Sequence, residues 1–390
     1  MKKIFTLLLS IIAFQAISLS QNWNTLADVP VGLAFPVVAV LNGEIHVIGG
    51  GAPGGATQLH LRYKPFTNTW DTLADVPYKA QQPAGAVVDG KIHYFGGGYP
   101  NSGTPLDDHY VYDPSNDSWS AAQNLPIPRV IMKAAVLDGK IFAMSGQPEK
   151  ARVDVYDPNT NSWSSKNPLP DNNFWYSAIV VVNNEMFRFG GGGFTSPVNT
   201  IQKYNATGDS WTNIGNLPSP LHAPAGTVLG GKIYIAGGYY GSETDTVYEF
   251  NPLTYSLNKI TALPAARAYH ELVTIDSCIY SIGGNNPFYP DMNVSFIRIC
   301  NPVISSILDN DNEQVLSVYP NPAKDHILID TKEELDFVIF DATGSKILND
   351  RLNTGRNIID ISNFISGIYF YKVLSQKDKK NYQEVLIVIP

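Results

Sequence analysis

Hydrophobic and polar positions alternate in short runs along most of this chain. One stretch shows the pattern well: the apolar run Gly85-Ala86-Val87-Val88 meets Asp89-Gly90, and the alternating run from Lys91 to Phe95 follows and ends at two glycines. Alternation with a period of two predicts strands with one buried face, and Asp-Gly between two such runs predicts a hairpin. The pattern therefore predicts an all-β protein.

The strand pattern recurs six times, with a period in the upper forties of residues. Each copy carries a residue pair rich in glycine, at Gly49-Gly50, Gly96-Gly97, Ser145-Gly146, Gly190-Gly191, Gly237-Gly238 and Gly283-Gly284. Five copies then place an aromatic residue before a Trp, or before its degenerate equivalent, at Tyr63/Trp70, Tyr112/Trp119, Tyr156/Trp163, Tyr204/Trp211 and Phe250/Leu257. Self-similarity at this period is typical of a propeller whose repeats are four-stranded blades.

Over roughly residues 22–302 these features resemble the kelch repeat, a β-propeller family marked by paired glycines and spaced Tyr and Trp. The sixth copy stops after its third strand, at Ile299-Cys300-Asn301-Pro302, while the chain begins with an isolated fourth strand from Trp23 to Pro30. We expect that N-terminal strand to complete the last blade, because an open blade edge would otherwise be left unpaired. The prediction is a six-bladed propeller over residues 21–302, closed by its N-terminal strand.

The pattern changes after Pro302. Residues 303–315 have the polar composition of a linker, and residues 316–390 contain regular short strands that predict a small Ig-like β-sandwich. Three phrases in it, Tyr319-Pro320-Asn321-Pro322, the turn from Asp341 to Lys346 and Ser366-Gly367-Ile368-Tyr369, together resemble the C-terminal sorting domain of the type IX secretion system of Bacteroidetes-type bacteria. The resemblance implies the type IX machinery as a partner, export through the outer membrane, and surface attachment or release. The alternative is a generic Ig-like adhesive module.

The first twenty residues predict a cleavable signal peptide. Lys2-Lys3 precede an apolar stretch from Ile4 to Ile17, and small residues end at Ser20, so that Gln21 becomes the mature N-terminus. A membrane anchor is the alternative, but a span needs about 18 apolar residues. The mature chain is therefore expected to have no transmembrane segment and to pass through the periplasm to the surface or the medium.

Net charge bears on the partners of the protein, and the cysteines bear on a disulfide. The formal net charge of -8 disfavours nucleic acid and anionic lipid as partners. The two cysteines, Cys278 and Cys300, fall at the start and end of successive antiparallel strands, where we expect them to be cross-strand neighbours. A disulfide and two buried thiols both remain open at this stage.

No metal, cofactor or catalytic motif stands out. The seven histidines include no short-spaced pair of the zinc-binding kind, and no P-loop, nucleophile elbow or dinucleotide fingerprint occurs. His46 and His93 precede their glycine pairs by three residues, where the other copies carry aromatic rings, so we interpret them as core residues. We predict no cofactor and no catalytic residue.

A ligand surface is predicted where two sets of loops share one face, since function in propellers sits on such loops. Candidate ligand-binding residues precede the first strands (Arg129, Trp175, His222, Arg267, Tyr269, His270) or follow the glycine pairs (Tyr99, Tyr239, Tyr240, Phe288, Tyr289). Aromatic rings mixed with amides and arginines are suited to carbohydrate or peptide ligands, because rings stack on apolar sugar faces while amides and guanidinium groups bind hydroxyls or carboxylates. Trp175 is the one Trp outside the fourth strands, and its alternative role is a local contact in the core. The alternative role of Arg129 and Arg267 is a structural hydrogen bond to neighbouring loops.

The resulting hypothesis is a secreted, surface-displayed, non-catalytic binding module for a glycan or a protein. A second hypothesis is a sugar-processing enzyme, because a secreted six-bladed kelch fold also resembles the sialic-acid mutarotase and epimerase group. Its acid/base candidates are Glu271 with His270 or Arg267, although alternation places His270 and Glu271 on opposite faces of a strand. A third hypothesis is an intermolecular scaffold, the usual role of intracellular kelch domains. An exported protein would not meet the intracellular partners of such scaffolds.

Overall fold

The computed structural model describes residues 23–98, 104–171, 175–284, 295–300, 316–319, 323–331, 333–341, 345–375 and 381–388. The chain divides into two compact units, Met1–Ile304 and Ser305–Pro390. The proposed signal peptide with its Ser20/Gln21 junction, the linker 303–315, and Tyr99, Phe288 and Tyr289 lie outside the described residues.

The first unit consists of short antiparallel strands, grouped here into sheets numbered along the chain. After β1 (Asn24–Thr25), sheet 1 contains β2 (Val37–Leu41), β3 (Glu44–Ile48), β6 (His60–Lys64) and β7 (Thr69–Thr72), with the small hairpin β4 (Gly51–Ala52) and β5 (Gly55–Ala56). Sheet 2 contains β8 (Ala84–Val88), β9 (Lys91–Phe95), β10 (His109–Asp113) and β11 (Ser118–Ala121). Sheet 3 contains β12 (Lys133–Leu137), β13 (Lys140–Met144), β14 (Val153–Asp157) and β15 (Ser162–Ser165).

The remaining sheets repeat this order. Sheet 4 contains β16 (Ala178–Val182), β17 (Glu185–Phe189), β20 (Thr200–Asn205) and β21 (Ser210–Asn216), with the hairpin β18 (Gly192–Gly193) and β19 (Ser196–Pro197). Sheet 5 contains β22 (Ala225–Leu229), β23 (Lys232–Ala236), β26 (Val247–Phe250) and β27 (Leu257–Ile260), with the hairpin β24 (Tyr239–Tyr240) and β25 (Ser242–Glu243). Sheet 6 contains β28 (Glu271–Ile275), β29 (Cys278–Ile282) and β30 (Phe296–Cys300).

The N-terminal strand belongs to the last sheet. β1 pairs antiparallel with β30, with Asn24 opposite Arg298 and Thr25 opposite Ile297, and so supplies the fourth strand of sheet 6. The first strand of each sheet contacts the first strand of the next, and β28 contacts β2. The first strands therefore form a closed ring, and the pairing of β1 joins the two ends of the unit.

The recurring Tyr and Trp hold neighbouring sheets together. In sheet 2, Tyr112 lies opposite Trp119 in the ladder. The Trp119 indole donates a hydrogen bond of 2.9 Å to the carbonyl of Ala74, which follows sheet 1, and the Ala74 amide donates one of 3.0 Å to Asp117. The Tyr112 hydroxyl donates to the same Asp117 oxygen at 2.9 Å. We call this arrangement the sheet latch.

The latch explains why the turn before the fourth strand carries Asn or Asp. Asn68, Asn161 and Asp209 occupy the position of Asp117 in sheets 1, 3 and 4, and each accepts the hydroxyl of its Tyr and a backbone amide of the preceding connection. All four have left-handed φ values, between 45° and 54°. Asn and Asp tolerate that conformation better than other residues with a side chain. In sheet 5 the position holds Tyr255, whose ring stacks on Phe250.

The glycine pairs sit where the loops approach the backbone closely. A Cβ on Gly237, whose φ is 65°, would lie 2.3 Å from the carbonyl oxygen of Arg267. No side chain fits at that distance, so the loop ahead of sheet 6 can press against the end of β23 only if this residue is glycine.

A disulfide joins Cys278 and Cys300, with an S–S distance of 2.02 Å. The two residues lie directly opposite each other in the ladder between β29 and β30. The cross-strand placement expected from the sequence is therefore present, and the alternative of two free thiols does not apply.

The second unit has two sheets around one core. Its strands are β31 (Leu316–Tyr319), β32 (His326–Thr331), β33 (Leu335–Asp341), β34 (Lys346–Leu352), β35 (Gly355–Asp360), β36 (Gly367–Ser375) and β37 (Asn381–Val388). β31, β32 and β35 form one sheet, and β34, β33, β36 and β37 form the other. Ile327 and Ile329 of the first sheet and Phe337, Ile339 and Val373 of the second are buried in a shared cluster.

β34 is not among the strands predicted from the sequence. Its sequence is mostly polar, and only Leu352 among its seven residues is buried, because the strand lies at an exposed edge of its sheet. Such an edge strand lacks the apolar alternation by which strands are recognised.

Candidate ligand-binding face

The loops that lead into the first strands share an unusual backbone conformation. In all six sheets, the residue two positions before the first strand has a positive φ, between 51° and 65°. These residues are Phe35, Gln82, Ile131, Tyr176, Ala223 and Tyr269. Backbone hydrogen bonds link several of them from sheet to sheet, since Ala223 donates to Tyr176 at 3.1 Å and Tyr269 donates to Ala223 at 3.2 Å.

Three of their side chains meet at the centre of the ring. Phe35 belongs to the loop before sheet 1 and Tyr176 to the loop before sheet 4, on opposite sides of the ring, yet their ring centroids are 6.0 Å apart. Tyr269 packs edge-on against both rings, at 5.1 Å from Phe35 and 5.5 Å from Tyr176. The left-handed backbone thus directs aromatic rings onto the ring axis.

Polar groups connect these rings. Gln82 donates a hydrogen bond of 2.9 Å from Nε2 to the Tyr176 hydroxyl. His222 contacts the Gly192 carbonyl through Nδ1 at 2.7 Å and the Tyr269 hydroxyl through Nε2 at 2.8 Å. A carbonyl only accepts, so Nδ1 carries the proton, and Nε2 accepts from Tyr269. Burial lowers the pKa of His222 below its usual value and raises the pKa of Tyr176 to about 12, which leaves both groups neutral at pH 7.

A stacked aromatic pair extends the cluster outwards. Phe194 and Tyr239 lie in the loops that follow the glycine pairs of sheets 4 and 5, and their rings stack with centroids 4.4 Å apart. Phe194 also packs edge-on against His222 at 5.9 Å. We define the mouth cluster as the side chains Phe35, Gln82, Tyr176, Phe194, His222, Tyr239 and Tyr269. Five of the seven are partly exposed to solvent, while His222 and Tyr269 are buried.

A charged pair lies at the inner ends of the loops. Lys133 and Glu271 begin the first strands of sheets 3 and 6, which are opposite each other in the ring, and Nζ lies 3.4 Å from Oε1. Both side chains are about one-third exposed, at 30% and 35%. The pair therefore crosses the ring axis and remains accessible to water.

Three predicted site residues point into the protein. Arg129 is fully buried and pairs with Asp154 at 2.6 Å, and its guanidinium also donates to the carbonyl of Ser145 at 2.9 Å. Arg267 is 2% exposed and contacts the Ser281 hydroxyl at 3.4 Å. His270 is 3% exposed, and burial lowers its pKa to about 3. These side chains are therefore not accessible to a ligand. The two arginines instead make structural hydrogen bonds, which was the alternative role considered from the sequence.

The other predicted residues have different placements. Trp175 is half-buried, and the Lys150 ammonium lies 4.6 Å from its ring centroid, so it packs against the loop of sheet 3 rather than in the core of its own first strand. His222, Tyr239 and Tyr269 belong to the mouth cluster. Tyr240 is 58% exposed beside it.

Phe35 was not among the loop residues considered from the sequence, and Gln82 and Tyr176 lay in those loops without being chosen as site residues. A signal for them was present, because they occupy the same position in the repeat as the selected Tyr269. That position alternates between aromatic, amide and aliphatic side chains, so no single residue type marks it.

No metal centre emerges from the part of the chain that the structure describes. Within it, no group of three or more His, Cys, Asp or Glu side chains is arranged to hold a metal ion. Likewise, none of the described segments contains a helix long and apolar enough to cross a membrane.

Comparison with known proteins relates both units to families. Residues 122–284 match the family described as the KLHDC2/KLHL20/DRC7 Kelch-repeats domain, and residues 317–388 match the secretion system C-terminal sorting domain. This chain thus contains a kelch-repeat region and a C-terminal sorting domain, and the sorting domain implies secretion or attachment to the cell surface.

Individual relatives cover only part of the chain. Kelch-like protein 36 of Rattus norvegicus is 25% identical over 124 residues, which are 28% of this chain and 19% of that protein. Kelch-like protein 35 of Mus musculus is 27% identical over 112 residues, 28% of this chain and 20% of that protein. Beta-scruin of Limulus polyphemus is 26% identical over 118 residues, 28% of this chain and 13% of that protein. The matches therefore span at most a fifth of these relatives.

The first unit is also similar in fold to solved structures. The structure of YjhT aligns with a TM-score of 0.61 and 17% sequence identity, covering 70% of this chain and 96% of that chain. This likeness concerns the fold, which is a β-propeller.

Proposed function

We propose that the propeller of this exported protein is a non-catalytic module that binds a glycan or a protein ligand at the mouth cluster, with a glycan favoured. The observation that carries this proposal is the convergence of four uncharged aromatic side chains and an amide, all partly exposed, at the centre of one face. Aromatic faces stack on the apolar faces of sugar rings, and hydroxyl and amide groups bind sugar hydroxyls.

The cluster is better suited to binding than to proton transfer. Both ring nitrogens of His222 are engaged in hydrogen bonds, and burial lowers its pKa, so it is a poor proton donor near neutral pH. Both ring nitrogens of His270 are engaged as well, with Ser281 at 2.9 Å and the carbonyl of Ala236 at 3.0 Å. The rings instead form a fixed surface, which lowers the entropy cost of binding.

A glycan-array screen of the mature chain tests this proposal. Replacing Tyr239 by Ala removes one ring of the stacked pair, and we expect it to weaken glycan binding about tenfold, which corresponds to roughly 1.4 kcal/mol. Phe66→Ala is the matched control, since Phe66 is a fully exposed ring in the turn between β6 and β7. Binding to no glycan would redirect the proposal to a protein ligand, and equal losses in both variants would contradict the mouth cluster as the site.

A second candidate is a sugar-processing enzyme of the mutarotase or epimerase kind. The Lys133–Glu271 pair favours it, because a carboxylate and an ammonium on the ring axis are accessible beneath the mouth cluster. A sugar-anomer exchange assay separates the candidates. Accelerated exchange that is lost in Glu271→Gln would establish the enzyme and overturn the non-catalytic proposal.

A further inference from the structure

A cleft of about 250 Å³ opens beside the mouth cluster, within the loops of sheet 5. One wall is the segment that leads from β21 to β22, and the other is the loop between β23 and β26, which contains the β24–β25 hairpin. Pockets for drug-sized ligands have volumes of roughly 300–1,000 Å³, so this cleft suits a single sugar ring.

The lining of the cleft is rich in hydroxyl groups and carries one acidic side chain. Glu243 supplies the carboxylate, and the aliphatic hydroxyls come from Ser219, Ser242, Thr244 and Thr246. A hydroxyl both donates and accepts, and a carboxylate accepts several O–H bonds, so this lining complements the vicinal hydroxyls of a sugar. None of the lining residues is a Lys, Arg or His. The chemistry therefore favours a neutral sugar over one that bears a carboxylate or sulfate.

The loop is held in shape before a ligand arrives. The Thr244 amide donates to the carbonyl of Gly238 at 3.0 Å, and the Thr246 amide donates to the Thr244 hydroxyl at 3.2 Å. The Arg267 amide in turn donates to the carbonyl of Thr244 at 3.2 Å. Fixed hydroxyl positions reduce the ordering cost of binding.

Tyr240 provides an aromatic platform at the cleft. Its side chain is 58% exposed, although it lines the same cleft as the hydroxyls. Tyr240 pairs with Ser242 across a turn at Gly241, whose φ is 72°. An exposed ring of this kind offers its face to the apolar side of a pyranose.

One hairpin joins the cleft to the mouth cluster. Tyr239 pairs with Glu243 in that hairpin, and the Tyr239 ring stacks on Phe194 in the mouth cluster. An oligosaccharide that contacts the mouth cluster can therefore place its neighbouring unit in the cleft.

We propose that this cleft is a subsite for one neutral pyranose unit of a glycan, with Tyr240 stacking on the ring and Glu243 accepting hydrogen bonds from two of its hydroxyls. The proposal rests on the proposed function, because it assigns part of the same ligand. It adds a class of ligand, neutral rather than acidic, and the residues that select it.

The test uses the mature full-length chain, with neutral and acidic oligosaccharides of matched length on one array and titration calorimetry for the glycans that bind. Tyr240→Ala and Glu243→Gln are each expected to weaken neutral-glycan binding about tenfold, whereas Tyr240→Phe, which keeps the ring, stays within about twofold of the wild type. Tyr255→Ala is the matched control, since Tyr255 is a 42% exposed tyrosine in the turn between β26 and β27 of the same sheet. Circular dichroism establishes that each variant is folded.

The outcomes separate the subsite from the proposed function. Glycan binding that is lost in Tyr239→Ala but unchanged in Tyr240→Ala and Glu243→Gln would overturn the subsite and leave the mouth cluster as the site. Preference for acidic glycans, or tighter binding of them by Glu243→Gln with no loss for neutral ones, would also overturn it. Failure to bind any glycan would overturn the subsite together with the glycan form of the proposed function.

Discussion

At the scale of single residues, sheets 1 and 2 each contain a buried histidine pair. One member of each pair, His46 or His93, occupies a position that holds an aromatic ring in the other sheets. In sheet 2, Nδ1 of His93 lies 2.9 Å from Nε2 of His109, and Nδ1 of His109 contacts the carbonyl of Gln123 at 3.0 Å. His46 and His60 form the same pair in sheet 1, at 2.8 Å. The sequence analysis placed His46 and His93 in the core, and their exposures of 2% and 4% confirm it.

Burial gives these pairs a pH-dependent effect on stability. It lowers the pKa of His93 from 6.5 to about 3 and that of His109 to about 4. Between pH 6.5 and these folded-state values, the unfolded chain binds more protons than the folded chain. The stability is therefore fully present above about pH 6.5 and is lost as the pH falls, by at most about 2 kcal/mol per histidine at pH 5.

We predict that His93→Phe combined with His109→Val reduces the acid sensitivity of the protein. The equivalent residues of sheet 3 are Phe142 and Val153, so the double substitution copies a pair that this fold already accommodates. Thermal unfolding at pH 7.5 and pH 5 should show a smaller drop in midpoint for the variant than for the wild type. An identical drop would mean that other groups cause the acid sensitivity.

At the scale of the elements, the sheet latch is the contact that the repeat preserves. Asp117 accepts from both Tyr112 and the Ala74 amide and has a φ of 47°. Asp117→Ala removes both hydrogen bonds and places a Cβ-bearing residue with no polar side chain in a left-handed conformation. We expect a loss of about 2–3 kcal/mol in the free energy of unfolding, measured by urea denaturation.

The control for the latch is Asp117→Asn. Sheets 1 and 3 carry Asn68 and Asn161 in this position, where each accepts the two equivalent hydrogen bonds, from a Tyr hydroxyl and from a backbone amide. The variant should stay within about 1 kcal/mol of the wild type, because an amide oxygen still accepts both hydrogen bonds. Equal losses in the Asn and Ala variants would show that charge, rather than the latch, is responsible.

The disulfide fixes the hairpin of sheet 6 that receives the N-terminal strand. Cys278 and Cys300 are separated by 22 residues in sequence. Closing a loop of that length removes entropy from the unfolded chain, so replacing both cysteines by Ala should lower the free energy of unfolding by about 3 kcal/mol. Urea titrations with and without reductant provide the measurement. The urea midpoint of the wild type should fall on reduction, and that of the variant should not change. An unchanged midpoint of the wild type would contradict a stabilising role of the disulfide.

At the scale of the whole molecule, the second unit carries the relation to protein export. The match of residues 317–388 to the sorting domain implies that this unit directs secretion. In a host with type IX secretion, deletion of residues 316–390 should retain the protein inside the cell envelope, since the machinery no longer recognises it. Cell fractionation and immunoblotting of the medium and the cell surface make the measurement. Unchanged export of the truncated chain would contradict this role.

Much of the fold was predictable because its signals are local. Alternation and the Asp-Gly turn depend on neighbouring residues, and they placed β8 and β9 to within one residue of their observed ends. The isolated strand at Asn24 and Thr25 could be assigned to sheet 6 by counting alone. β34 escaped because an exposed edge strand has no such signal.

Much less of the candidate site was predictable. Arg129 and Tyr239 come from loops on the same face and looked alike as candidates, but Arg129 folds inwards onto Asp154 while Tyr239 stacks with Phe194. The carboxylate that pairs with Arg129 belongs to Asp154 on β14, so the sequence of the loop itself does not predict the ion pair.

The sequence by itself determined most of the strands, the repeat, the position of the cysteine pair and the relation of both units to their families, because each of these depends on residues close together in the chain or on a fixed period. Only the tertiary structure decided which loop side chains meet in the mouth cluster and which fold inwards. Phe35 and Tyr176 meet, and Lys133 reaches Glu271, only because the ring of sheets closes and brings opposite loops to one axis. Contacts across that axis depend on how the sheets pack against one another, which no local pattern in the chain records.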